Sequence, residues 1–199
     1  YGVSPSDFEG VTPKLLVKAG DAVKAGSPLF FDKNRPQVLF TSPVSGTVQA
    51  VNRGDKRKII NIVVDTSPKQ EYEKFEITPL EKSSKGDVTA TLLQSGLWAY
   101  IIQRPYGMIA NPDDSPKSIF ISGFDSAPLA PDMDLALSEQ SANLRKGIDV
   151  VKKLTEGSVH LGLRSSHDGV ISLLTNEEQT TFSGPHPAGN VGVQINHVD

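Results

Sequence analysis

Val17-Lys18-Ala19-Gly20-Asp21-Ala22-Val23-Lys24-Ala25-Gly26-Ser27-Pro28-Leu29 spaces three apolar anchors, Val17, Val23 and Leu29, around Gly20-Asp21 and Gly26. The glycines can turn the chain where a positive φ is needed, so the anchors can all face one core. Ser42-Pro43-Val44-Ser45-Gly46-Thr47-Val48 repeats the device. After a turn at Gly54-Asp55, Ile60, Ile62 and Val64 alternate with Asn61 and Val63, the pattern of a strand with one buried face. Short apolar stretches broken by Gly, Pro and Asp from residue 8 to about 66 predict a small all-β unit with no required helix.

These two stretches, V-x-x-G-D-x-V-x-x-G-x-x-L followed by P-V-x-G-x-V, resemble the biotinyl/lipoyl-like barrel-sandwich hybrid. In carrier domains of that type a lysine on the intervening hairpin holds biotin or lipoate, and the nearest candidate is Lys33 in Phe30-Phe31-Asp32-Lys33-Asn34-Arg35-Pro36. An Asn-Arg-Pro insertion displaces it from a symmetric tip, so an exposed lysine on a docking domain is the plainer reading.

Residues 67–88 mix Lys, Glu, Ser and Pro with little periodicity and read as a linker, tacked down by Tyr72, Phe75 and Ile77. Longer elements then begin. Asp87 is placed to cap a helix carrying Leu92, Leu93, Leu97, Trp98, Ile101 and Ile102 to a stop at Pro105, interrupted at Gly96. Ser118-Ile119-Phe120-Ile121-Ser122 suits a buried strand. Leu137, Leu144, Ile148, Val151 and Leu154 fall on one face of a helix ending at Gly157, and Val159-His160-Leu161-Gly162-Leu163 supplies another strand. Helix, strand, helix, strand predicts a parallel sheet with right-handed crossovers. The expected fold class is therefore mixed: a barrel-sandwich hybrid β domain over 1–66, the linker over 67–88, and a Rossmann-like α/β domain over 89–199. The start at Tyr1-Gly2 and the stop at Asp199 read as those of a piece cut from a longer protein.

A formal charge of -3 without a basic block argues against nucleic acid, which requires clustered Lys and Arg. The short run Arg53 to Lys58 reads as a solvated hairpin. The longest unbroken apolar stretch, the six residues Leu97 to Ile102, is far below the roughly 20 that span a bilayer. Membrane association is therefore expected through partners. The chain has no cysteine, which excludes disulfides, a thiol nucleophile and thiolate-ligated iron–sulfur clusters. No G-x-G-x-x-G follows a predicted strand, and no G-x-S-x-G elbow is present. The four histidines lack metal-ligand spacing.

Phe182-Ser183-Gly184-Pro185-His186-Pro187-Ala188-Gly189 fixes a loop around one histidine with two prolines and two glycines. Such rigidity is costly unless it positions something. This element, placed after an α/β unit that follows a barrel-sandwich unit, resembles the A-type subunits of the sodium-translocating NADH:quinone reductases. The resemblance also covers Asp32-Lys33, Thr41 to Val48, Asn52-Arg53-Gly54, Leu93-Gln94-Ser95-Gly96-Leu97-Trp98 and Arg104-Pro105-Tyr106. It departs after Gly189, where Asn190-Val191-Gly192-Val193-Gln194-Ile195-Asn196-His197 replaces a more histidine-rich run.

The resemblance implies a peripheral subunit on the cytoplasmic face of the bacterial inner membrane. It would belong to a six-subunit membrane complex that moves electrons from NADH to quinone and exports sodium. Its share would be quinone binding and assembly, with no redox cofactor bound here; NADH, flavins and iron–sulfur clusters would sit in other subunits. The isolated chain would not be active alone. Two other readings stay open: a biotin- or lipoate-type carrier module modified at Lys33, and an Rnf-type electron-transport protein of the C class.

Ligands of parallel sheets lie beyond the carboxyl ends of the strands, which makes Gly123-Phe124-Asp125-Ser126-Ala127-Pro128-Leu129 a candidate pocket wall. The candidate quinone-binding residues are Phe182, Gly184, His186, Pro187, Gly123 and Asp125. His186 could donate a hydrogen bond or brace its loop, and Phe182 could stack on a quinone ring. Asp125 and Ser126 could instead cap the following segment. His160 reads as a satisfied strand residue, and His167-Asp168-Gly169 as a turn rather than an acid–base pair.

Overall fold

The computed structural model describes residues 1–165 and 178–198. It forms two compact units, Tyr1–Asp113 and Asp114–Asp199.

In the first unit, β1 (Gly2–Val3), β2 (Pro13–Leu15), β3 (Ala22–Val23), β4 (Pro28–Asp32), β5 (Arg35–Thr41), β6 (Gly46–Arg53) and β7 (Ile59–Thr66) form two antiparallel sheets. Their strand orders are β1-β7-β6-β3 and β2-β4-β5. The quoted stretch does what its glycines require: Gly20 and Gly26 have φ of 93° and 98°. Each then hands its N–H to the second stretch, Gly20 to the Val48 carbonyl and Gly26 to the Ser42 carbonyl, both at 2.8 Å. Val23 and Leu29 are buried, as are Phe30, Val38, Phe40, Val48, Ile62 and Val64. Val17 is only half-buried. Phe30 stacks on Phe40 at 4.5 Å between ring centroids.

Strand β7 departs from simple alternation. Ile60 is 49% exposed and Ile59 is buried instead. The cause is a bulge: Asn52 pairs with Asn61 but Arg53 pairs with Ile59, so Ile60 has no partner and the inward face shifts by one residue.

The β4–β5 hairpin turns tightly through Lys33-Asn34. The extra residues lie in the return strand, since Phe31 pairs with Leu39 while Asp32 pairs with Arg35. Lys33 is thus exposed at a tip after all. Beneath it Asp32 is fully buried. Its carboxylate accepts the N–H groups of Thr12 and Asn34, each at 3.2 Å, and the Arg35 Nε–H at 3.0 Å. The Arg35 guanidinium also donates to the Ile109 carbonyl at 2.6 Å.

Residues 67–73 run along this unit by backbone contacts. Ala25 and Glu73 pair at 2.8 Å, Ala25 and Glu71 at 2.9 Å, and the Gln70 side chain accepts the Ser45 N–H at 2.8 Å. Tyr72 and Ile77, expected to tack the segment down, are exposed instead. Helix α1 (Lys85–Gln94) is capped by Ser84, with Asp87 as the reciprocal member of a capping box rather than the cap itself. The two residues share hydrogen bonds, hydroxyl first and backbone N–H second, that hold the Asp87 carboxyl below its ordinary value. The helix stops at Gln94, and Gly96 (φ 76°) turns the chain into a 3-10 segment over Leu97–Tyr100. Ile102 therefore lies in a strand, β8 (Ile102–Gln103), paired with β9 (Met108–Ile109). Trp98 is buried and donates its ring N–H to the Ala110 carbonyl at 2.8 Å. Both α1 and the 3-10 segment pack on β5.

The second unit carries β10 (Ile119–Ser122), α2 (Met133–Leu137), α3 (Ser141–Lys152), β11 (Val159–Arg164), β12 (Glu178–Phe182) and α4 (Val191–Val198). The strands pair in parallel in the order β10-β11-β12. The sequence pattern shows the first two strands; β12 and α4 are additional. The single expected helix is two, because Asp132 caps α2 and the chain restarts at Ser141. Helix α3 ends at Lys152, short of Gly157. Ile121, Met133, Leu137 and Leu144 pack against the buried Leu161 and Leu163.

Candidate functional site

Parallel pairing sends all three strands of the second unit out at one edge, since Ser122 lies beside Gly162 and Arg164 beside Phe182. The loops after β10 and β12 both begin there, and the fold brings them together. Ser126 Oγ accepts the Gly189 N–H at 2.8 Å and lies 3.1 Å from His186 Nδ1. Gly189 approaches so closely that a Cβ there would stand 2.9 Å from the Asp125 carbonyl carbon. This is the close backbone contact that only glycine allows.

Behind the loops is a polar cluster the sequence reading missed. Gln194 of α4 is 1% exposed. Its side-chain amide donates to Ser122 Oγ at 3.0 Å and to the Ala188 carbonyl at 3.4 Å. Ser122 Oγ in turn reaches the carbonyls of Phe124 (2.8 Å) and Gly189 (3.1 Å). Two signals could have found it: a glutamine within the apolar run Val191 to Ile195, and a glycine, Gly162, inside a strand, which marks a close approach.

The candidate residues divide. Gly123 is buried and donates its N–H to the Gly162 carbonyl at 2.8 Å. The Asp125 carboxylate accepts the Ala127 N–H at 2.8 Å, so it caps its own turn. The Asp125 carbonyl accepts from Arg164 at 3.3 Å, and the Arg164 guanidinium covers the Phe124 ring at 5.4 Å. Gly184 has a φ of 130°. His186 and Pro187 are exposed. Phe182 lies at the end of β12 with its ring edge-on to His197 at 6.5 Å.

His160 is satisfied within the sheet, stacked on Phe120 at 4.5 Å with Nδ1 3.1 Å from Glu178 Oε2. His167-Asp168-Gly169 lies outside the described residues. Among the described residues, no three His, Asp or Glu side chains gather as a metal set would require. Among them, too, no helix is long and apolar enough to cross a membrane.

Two antiparallel sheets on repeated glycine-turn stretches, followed by a parallel α/β unit with converging loops at one strand edge, define a barrel-sandwich hybrid and α/β tandem. Residues 1–67 match the family model described as the NqrA N-terminal barrel-sandwich hybrid domain. Residues 83–199 match the model of the NqrA second alpha/beta domain. The chain belongs to the NqrA family.

Among its relatives is the A subunit of the Na(+)-translocating NADH-quinone reductase from Saccharophagus degradans, 37% identical over 195 residues, which are 97% of this chain and 44% of that protein. The protein of the same name from Neisseria meningitidis is also 37% identical over 195 residues, with the same 97% and 44% shares. That of Yersinia pestis is 36% identical over 197 residues, again 97% of this chain and 44% of the relative. The chain thus spans less than half the length of these relatives. Membership in this family does not favour the carrier-module or Rnf-type readings.

Proposed function

We propose that the chain acts within the A subunit of a sodium-pumping NADH:quinone reductase, peripheral to the cytoplasmic face of the bacterial inner membrane, where its second unit contributes to a quinone site. The relatives' name supports the complex. The observation that carries the site is the His186 ring, tied to Ser126 at the edge where the parallel strands end. A quinone's carbonyl oxygens only accept hydrogen bonds, and an imidazole N–H is a suitable donor. Gly184, Pro187 and Gly189 would shape the loop that presents it, while Phe182 and the wall from Gly123 to Asp125 would border the ring.

NADH, flavins and iron–sulfur clusters are assigned to parts of the complex outside this chain. The cysteine-free sequence offers no thiolate for a cluster, and it has no glycine-rich dinucleotide loop. The test is His186→Ala in the assembled reductase. Loss of one neutral hydrogen bond, about 0.5–1.5 kcal/mol, raises the KM for a short-chain ubiquinone about two- to twelvefold. NADH oxidation by an artificial acceptor upstream of quinone stays unchanged. An unaltered KM for quinone overturns the proposal.

A further inference from the structure

We propose that Ser126 sets the tautomer of His186, holding the neutral imidazole with its proton on Nε2, so that the ring presents a donor to a ligand whose oxygens can only accept. The ligand half of this statement rests on the functional reading above; the tautomer half does not. Ser126 Oγ already accepts the Gly189 N–H at 2.8 Å. A hydroxyl has one proton to give, and the backbone N–H that occupies one of its lone pairs cannot receive it. Among the described residues, the acceptor within reach is His186 Nδ1, at 3.1 Å. When the hydroxyl donates to Nδ1, that nitrogen is bare, and a neutral imidazole then carries its proton on Nε2.

The arrangement is braced from beneath. The Gln194 amide holds the Ala188 carbonyl, the Ser122 hydroxyl shares its one proton between the carbonyls of Phe124 and Gly189, and a Gly189 Cβ has no room against Asp125. Ser126 is therefore a positioning residue, fixed by a network that Gln194 closes from inside α4.

His197 gives an internal contrast. Its Nδ1 lies 2.8 Å from the Val193 carbonyl, which can only accept, so in that ring Nδ1 bears the proton. The two histidines are thus set to opposite tautomers.

The experiment is nitrogen–proton multiple-bond correlation spectroscopy of 15N-histidine-labelled protein at alkaline pH, where imidazoles are neutral. The expected spectrum shows His186 protonated on Nε2 and His197 on Nδ1. In Ser126→Ala, His186 relaxes to an averaged mixture while His197 is unchanged, and Ser126→Thr restores the single form. A wild-type His186 protonated on Nδ1, or a pattern indifferent to Ser126→Ala, overturns the assignment. If Ser126→Ala does not fold, the wild-type spectrum with Ser126→Thr decides. Titrating the same wild-type sample with a short-chain ubiquinone separates the two claims. An Nε2–H ring that never responds to quinone defeats the quinone reading and supports the tautomer assignment.

Discussion

The side-chain amide of Gln194 occupies the space that a Cβ on Gly162 would need. Helix α4 is thereby keyed onto β11 by a polar group, and the same amide reaches the loop that carries His186. Any side chain at position 162 must displace a buried glutamine that also holds Ser122.

Gly162→Ala is therefore expected to destabilise the protein by about 1–3 kcal/mol through overpacking. Gly162→Ala combined with Gln194→Ala is expected to cost less than the sum of the two single changes, because truncating the glutamine frees the space. Urea denaturation of the four proteins in the cycle measures this. Strict additivity would show that the two residues do not compete for the same volume.

Asp32 is buried beneath the tip at Lys33 and carries two backbone N–H groups and Arg35. Asp32→Ala leaves the guanidinium without its carboxylate counter-charge and is expected to cost about 3 kcal/mol or more. Lys33→Ala, one residue away but exposed, stays within about 0.5 kcal/mol. Equal costs at both positions in chemical denaturation would refute this account of the hairpin.

The bulge in β7 makes neighbouring isoleucines unequal. Ile62→Ala removes core volume and is expected to cost about 2–5 kcal/mol. Ile60→Ser, at a residue 49% exposed, stays within about 0.5 kcal/mol. Had simple alternation held, Ile60→Ser would be among the most damaging changes in the unit.

Asp87 sets a pH dependence for α1. Its Ser84 hydroxyl and backbone hydrogen bonds favour the carboxylate, so its folded-state pKa lies below the ordinary 3.8. The stabilisation is fully present above the unfolded value and is lost as pH falls through the lowered folded one. Asp87→Asn is expected to lower Tm at neutral pH, with the gap to wild type closing below pH 3.8. A gap that persists undiminished in acid would mean the carboxylate charge is not what matters.

Much of the first unit was legible because its constraints are local. Gly20 and Gly26 need positive φ, and the residues they turn toward the core are apolar. The exceptions have physical causes. A bulge at Ile60 changes which face is inward without changing composition, and Ser84, not Asp87, takes the cap because the two exchange hydrogen bonds as a pair. In the second unit β10 and β11 announce themselves as apolar runs, whereas β12, Glu178-Gln179-Thr180-Thr181-Phe182, is polar and carries no such signal. The loop around His186 stood out by its prolines and glycines. Ser126 was legible only as part of a candidate pocket wall, and neither its contact with His186 nor the role of Gln194 stood out, because the two residues reach the loop from about 60 residues upstream and from the following helix, and only the fold sets those distances.

The central claim is that the loop from Phe182 to Gly189 helps bind a quinone. The most direct measurement is calorimetric titration of the purified protein with a short-chain ubiquinone, repeated on His186→Ala with its fold verified by circular dichroism. The account predicts saturable binding to the wild type, weakened about two- to twelvefold by the substitution, the loss of one neutral hydrogen bond. Saturable binding of equal affinity in both proteins, or none in the wild type, would contradict it.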